Sequence, residues 1–200
     1  MAADVFGWLA AVLTTLFAWP QAVRALRATS TEGVSLASTG LLFASGLLWT
    51  LYGVRAPSPY IAVANASVAS AALLTAYACR ARLRPAMAAA GLAACGAVLT
   101  VGALAGQPAT GLMGDVVAGS MAVPQAVRAL RADASLTAVS PMTYGLLALN
   151  AACWIAYGAA IGDALVVAPN LVTLPASVLV LVRRTRAARA ERERETGSGK

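Results

Sequence analysis

Residues 20–28 read PQAVRALRA, and residues 124–132 read PQAVRALRA again. The offset is 124 − 20 = 104 residues. After a one-residue insertion the likeness continues at an offset of 105: Val34-Ser35 matches Val139-Ser140, and Gly40-Leu41-Leu42 matches Gly145-Leu146-Leu147. Trp49, Tyr52 and Gly53 match Trp154, Tyr157 and Gly158, and Asn65 matches Asn170. Residue type and spacing agree over about fifty residues, which is the signature of an internal structural repeat.

What surrounds the repeat is apolar. Of the 200 residues 60% are hydrophobic and only 12% charged, and mean hydropathy is +0.74. An ordinary soluble domain has about 45–50% apolar residues with glycine counted and about 25% charged. A soluble fold of this length cannot hide so much apolar surface, so lipid is the expected solvent. Seven stretches approach the roughly 20 apolar residues that a helix needs to cross a bilayer: 4–23, 34–53, 59–79, 85–105, 109–127, 138–158 and 163–182. Met1–Asp4 has no basic n-region, so the first stretch does not read as a cleavable signal peptide. The stretch from Arg183 to Lys200 is too polar to span and reads as a helix extension and tail.

The net charge of +7 is not a nucleic-acid footprint, because the arginines form short clusters between apolar runs instead of one face. Cytoplasmic loops carry excess Lys and Arg. Arg24 and Arg27 follow span 1, Arg80, Arg82 and Arg84 follow span 3, Arg128 and Arg131 follow span 5, and the basic tail follows span 7, whereas the opposite loops hold only Arg55. The N-terminus is therefore expected outside and the C-terminus in the cytoplasm. The expected fold is all-α: seven transmembrane helices in a 3+1+3 plan. Residues 1–84 form one three-helix repeat, 85–107 a linker helix, 108–182 a second repeat, and 183–200 a basic tail. Two units of three crossings would be inverted if joined directly; one extra crossing makes them parallel, a known transporter plan.

Chemistry narrows the function. There is no histidine, no HExxH, GxSxG or GxxxxGK[ST] motif, and Cys79, Cys95 and Cys153 all lie in apolar runs. Nothing here activates a nucleophile, so the chain does not read as an enzyme, and no metal or cofactor is expected. The only lysine, Lys200, is in the tail, which excludes a retinal protein. Asn65 follows Trp49 by 16 residues and Asn170 follows Trp154 by the same 16. An aromatic plate suits the apolar C–H faces of a sugar, and an amide both donates to and accepts from its hydroxyls. An Asn in an apolar helix needs a hydrogen bond or a wet cavity. A structural interhelical bond for each Asn, and an interfacial anchor for each Trp, are the competing readings. Ser45 and Asn150 lie one turn before the tryptophans and are second-tier pocket candidates. Asp115 is the one acidic residue well inside an apolar run; it is either a candidate proton site or a residue near the outer water.

PQ near the end of the first helix, WxxYG on the second and Asn on the third, twice in order, resembles the SWEET and SemiSWEET sugar transporters of the PQ-loop superfamily. The stretch 154–170, WIAYGAAIGDALVVAPN, is especially similar to a second SWEET repeat. The resemblance covers about residues 5–182. It implies a facilitative uniporter in the cell membrane that moves mono- or disaccharides by alternating access, with Trp49, Asn65, Trp154 and Asn170 lining the sugar site. It implies hinges at Pro20, Gln21, Pro124 and Gln125, although proline also marks helix ends. It further implies an outer closure near Tyr52 and Tyr157, where Arg55 and Asp163 are expected either to meet as an ion pair or to be separate solvated charges. A single chain holds the full pathway, so homo-oligomerisation is possible but not required. A proton-coupled carrier of amino acids and a non-transporting receptor on the same scaffold are the alternatives.

Overall fold

The structure is a computed structural model. It describes the backbone of residues 1–32, 34–130 and 141–197, and the side chains of 1–32, 34–118 and 142–186. The elements are α1 (Ala2–Arg27), α2 (Leu36–Arg55), α3 (Pro59–Ala78), a short 3₁₀ turn (Arg80–Arg82), α4 (Pro85–Leu130), α5 (Pro141–Ile161) and α6 (Ala164–Gly197). Among the described residues, six helices are long and apolar enough to cross a membrane. Their outward faces carry Trp8, Leu16, Leu73, Leu104 and Leu171, apolar groups that a bilayer would cover. The chain is an all-helical, multi-pass membrane protein.

Local sequence sets the helix starts. Ser35 caps α2 by accepting from the Ser38 N–H at 3.2 Å. Ser58 caps α3 by accepting from the Ile61 N–H at 3.3 Å, with Pro59 at the first helical position. Asp163 caps α6 through Oδ1, which accepts from the N–H groups of Leu165 and Val166.

The fourth and fifth expected spans both fall within α4. At 46 residues, a straight helix would be about 69 Å long, more than twice the roughly 30 Å hydrocarbon core. It is not straight. Gly106 has φ +83°, which glycine adopts without strain. Thr110 Oγ1 lies 2.6 Å from the Gly102 carbonyl oxygen, whereas eight residues of continuous helix would separate them by about 12 Å. The chain therefore turns sharply at Gly106 into two arms.

Within the first repeat α3 packs between α1 and α2; in the second α6 packs against α5 and α4. The repeats meet through α1 against α5 and α2 against α4. These two contacts are equivalent under the repeat, since α4 beyond Gly106 corresponds to α1 and α5 to α2. The first arm is barely covered, with no buried residue between 85 and 101. α6 continues far past its apolar part, because the Arg/Ala/Glu tail is made of strong helix formers and meets no glycine until Gly197.

Candidate functional site

The two inter-repeat seams are built by one rule: small residues on the first helix of one repeat, aromatic residues on the second helix of the other. A Cβ on Gly7 of α1 would lie 3.1 Å from Tyr157 of α5, and 2.7 Å from Tyr60 of α3 in its own repeat. A Cβ on Gly111 of α4 would lie 2.9 Å from Tyr52, and one on Gly114 would lie 2.7 Å from Trp49 Nε1. Gly7 and Gly111 are 104 residues apart, the offset of the PQAVRALRA copies. That glycine pair lies outside the stretch of obvious identity and was missed in the sequence, although its offset could have found it.

At one end of the bundle the tyrosines reach across. The Tyr52 hydroxyl donates to Asp163 Oδ2 at 2.7 Å, and the Tyr157 hydroxyl lies 2.6 Å from Ser58 Oγ. Ser58 and Asp163 are 105 residues apart and cap equivalent helices. Each tyrosine thus bonds the residue that begins the third helix of the other repeat. Tyr52 and Tyr157 are 2% and 3% exposed, so both bonds are shielded from solvent at the ring. Trp8, Tyr60, Tyr157 and Trp154 continue this end as a run of edge-on ring contacts, with centroids 5.2, 5.4 and 5.8 Å apart.

Arg55 corrects one expectation. It does not meet Asp163. Its Nη1 donates to the Gly102 carbonyl at 2.8 Å and to Thr110 Oγ1 at 3.1 Å, and its Nη2 donates to the Ala103 carbonyl at 2.6 Å. The chain reversal at Gly106 frees carbonyls at the end of the first arm of α4, and a guanidinium with several fixed donors caps them. Arg55, Asp163, Tyr157, Tyr60, Asp4 and Gln107 all border an open cavity of about 560 Å³ at this end. The Asp4 carboxylate there accepts from Tyr60 at 2.7 Å.

The four central candidates lie at one depth. Trp49 is six residues from the end of α2 and Asn65 six from the start of α3; Trp154 is seven from the end of α5 and Asn170 six from the start of α6. That is about 9–10 Å of helix rise from the tyrosine end. Asn65 Nδ2 donates to the Ile61 carbonyl at 2.9 Å, and Asn170 Nδ2 donates to the Val166 carbonyl at 2.8 Å. The bond is within the helix, four residues back, and identical in both repeats. Each amide keeps its oxygen as an acceptor. Trp154 is buried and Trp49 half-buried. Trp154 Nε1 donates to Thr14 Oγ1 at 3.1 Å, and Thr14 Oγ1 donates to Asn150 Oδ1 at 3.0 Å. Ser45, in the place of Asn150, is 3.5 Å from the Gly114 carbonyl. Thr14 was not singled out in the sequence; its only signal was a hydroxyl in an apolar helix.

Asp115, next to Gly114, has a buried Oδ1 with no hydrogen-bond partner among the described residues. At the opposite end, Gln21 and Arg24 border a smaller cavity of about 190 Å³ with Ala25, Ala28, Thr31 and Val34. Pro20 lies inside α1, which continues to Arg27, so it is not a helix terminus. Pro124 and Gln125 fall in α4, outside the described side chains. Neither cavity is lined by Trp49, Asn65, Trp154 or Asn170.

Helices in two equivalent sets, joined along two like seams, define a repeat-built multi-pass membrane protein. Residues 2–60 match the family model described as the PQ loop repeat. The fold is similar to that of a eukaryotic SWEET transporter at a TM-score of 0.68, covering 91% of this chain and 96% of that one at 20% identity. No curated protein matches the chain. The comparisons thus find one PQ loop repeat in residues 2–60 and a fold like that of the SWEET transporter.

Proposed function

We propose that the chain is a facilitative sugar transporter that works by alternating access. In this reading the two arms of α4 are separate crossings, giving seven in a 3+1+3 plan, with the N-terminus outside and the C-terminus in the cytoplasm. The solute site lies between Trp49 and Trp154, with the Asn65 and Asn170 amide oxygens accepting from sugar hydroxyls. The observation that carries the reading is the duplicated arrangement of these four residues at one depth, in a chain with a SWEET fold. The Tyr52–Asp163 and Tyr157–Ser58 bonds act as the outer closure, and Pro20 and Pro124 act as hinges. The mechanism needs no catalytic residue, cofactor or metal, since the work is done by solute binding and helix movement.

Uptake into proteoliposomes with a panel of labelled sugars and amino acids tests this. Saturable uptake of a sugar down its own gradient, without an imposed proton gradient, is expected. Binding without movement would instead favour a receptor.

The buried, unpartnered Asp115 Oδ1 favours a second reading, a proton-coupled amino-acid carrier. A carboxylate oxygen without a donor is costly inside a protein, and protonation relieves that cost. Uptake that requires a proton gradient and is lost in Asp115→Asn would support this reading over the first.

A further inference from the structure

The seams are two-fold in layout but not in bonding. On α1, Thr14 is 6% exposed. A hydroxyl has one proton and two lone pairs, and Thr14 uses both functions: it donates to Asn150 and accepts from Trp154. An indole N–H is a single donor, so this bond fixes the rotation of the Trp154 ring. Trp154 and Asn150 are 8% and 9% exposed, and water does not readily replace a bond between groups so deeply placed.

The other seam lacks this. The place of Thr14 is taken by Ala118, which has no hydroxyl. Ser45 stands for Asn150 and makes one bond at the long limit of 3.5 Å. Trp49 is half-buried, and its indole lies against the bare Cα of Gly114.

We propose that Thr14 is a positioning residue: it holds Trp154 and Asn150 as the fixed wall of the solute site and leaves Trp49 as the wall that adjusts. The inference rests on the sugar-transport reading. It gives the site a polarity that the repeat alone does not have. With its oxygen held by Thr14, Asn150 is left with its N–H donors, whereas Asn65 and Asn170 are left with their acceptor oxygens. An asymmetric solute, such as a disaccharide with unlike rings, is then taken in one orientation.

The experiment uses the full chain in lipid, with glucose and sucrose as the probes. Thr14→Val keeps the shape and removes the hydroxyl; Thr14→Ala, the residue already tolerated at 118, is the second variant; Thr14→Ser is the rescue. Two readouts are taken: the indole N–H resonances of the tryptophans, and KM and kcat for uptake. The expected result is a displaced Trp154 resonance with the Trp49 resonance unmoved. KM should rise about fivefold, the effect of one neutral hydrogen bond, with kcat changed less, and both readouts restored in Thr14→Ser. A wild-type KM in Thr14→Val or Thr14→Ala, or an unmoved Trp154 resonance, overturns the inference alone. A wild-type protein that moves neither sugar overturns the transport reading, and the inference with it.

Discussion

Tyr52 of the first repeat donates to Asp163 of the second at 2.7 Å, at the point where Asp163 also caps α6. The equivalent contact, Tyr157 to Ser58, joins two neutral hydroxyls. A hydrogen bond to a carboxylate is roughly twice as strong as one between neutral groups. The tyrosine end is therefore held unequally. On the transport reading, Tyr52→Phe releases it more than Tyr157→Phe does. Thiol labelling of a cysteine placed at Ala56, in a background without the native cysteines, should be faster in Tyr52→Phe than in Tyr157→Phe. Equal rates would mean that the two bonds hold this end alike, and rates no faster than the parent's that neither controls access.

Arg55 leads to a prediction about the first arm of α4. That arm has no buried residue between 85 and 101, so the three bonds from Arg55 are a principal tether at its far end. Hydrogen bonds to a charged group contribute about 1.5–3 kcal/mol, and the Ala103 bond is solvent-exposed, so a loss of about 1–2 kcal/mol is expected for Arg55→Met. Thermal unfolding in detergent measures it. Because Arg55 and Asp163 do not touch, Arg55→Asp with Asp163→Arg should be no more stable than the sum of the single variants predicts. Recovery in the double variant would show that the two charges do meet.

The two alternatives for Arg55 and Asp163 mark where sequence reasoning stops. Opposite charges at matching ends of two repeats suggest a pair; the break between spans 85–105 and 109–127 is legible, but not which carbonyls the turn at Gly106 frees for Arg55. Ser58, the counterpart of Asp163 in the first repeat, carries no charge, but a hydroxyl suffices when the partner is a tyrosine. The helices were legible because each is a long apolar run bounded by Ser, Pro or Gly. The pairing of α1 with α5 and α2 with α4 was not, because Gly7, Gly111 and Thr14 act through neighbours distant in the chain.

Glycine at the seams gives a graded test. A Cβ at Gly53 would strike the backbone nitrogen of Ala62, which cannot turn aside. At Gly111 it would meet the Tyr52 ring at 2.9 Å and a Leu165 methyl at 3.0 Å, both of which can shift slightly. At Gly40 it would meet nothing within 4 Å. Overpacking typically costs about 1–3 kcal/mol. Gly53→Ala should lie at or beyond the top of that range, Gly111→Ala within it, and Gly40→Ala should be nearly neutral. Thermal stability of the three variants gives the order, and a destabilised Gly40→Ala would contradict this packing account.

Asn65 and Asn170 separate binding from folding. Each amide nitrogen bonds only its own helix, so truncation leaves no partner residue stranded. Asn65→Ala and Asn170→Ala should each unfold within about 1 kcal/mol of wild type yet lose sugar uptake. Asn→Asp keeps the acceptor oxygens but places a charge at this depth, and should also fail. Retained uptake in either alanine variant would make these amides structural.

Pro20 lies inside α1, and the helix runs on to Arg27. Proline has no N–H, so the carbonyl of Leu16 loses its usual partner, and the ring crowds the preceding turn. Arg24 Nε donates to the Pro20 carbonyl at 3.3 Å, one turn further on. Before Pro20, Ala10, Ala11, Leu13 and Thr14 are buried in the core; beyond it Ala22 and Ala25 are buried too, and Gln21 and Arg24 border the small cavity. The weak point therefore adjoins the stretch of α1 that borders open space, an arrangement suited to bending. Pro20→Ala restores the missing bond, worth about 1 kcal/mol, and stiffens that point. Equilibrium sugar binding should change little, because Pro20 lies six residues beyond Thr14, the α1 residue that bonds Trp154 and Asn150, while turnover should fall several-fold. Binding by calorimetry and turnover by counterflow, measured on the same preparation, separate the two. Unchanged turnover would reduce the proline to a local kink without a role in movement.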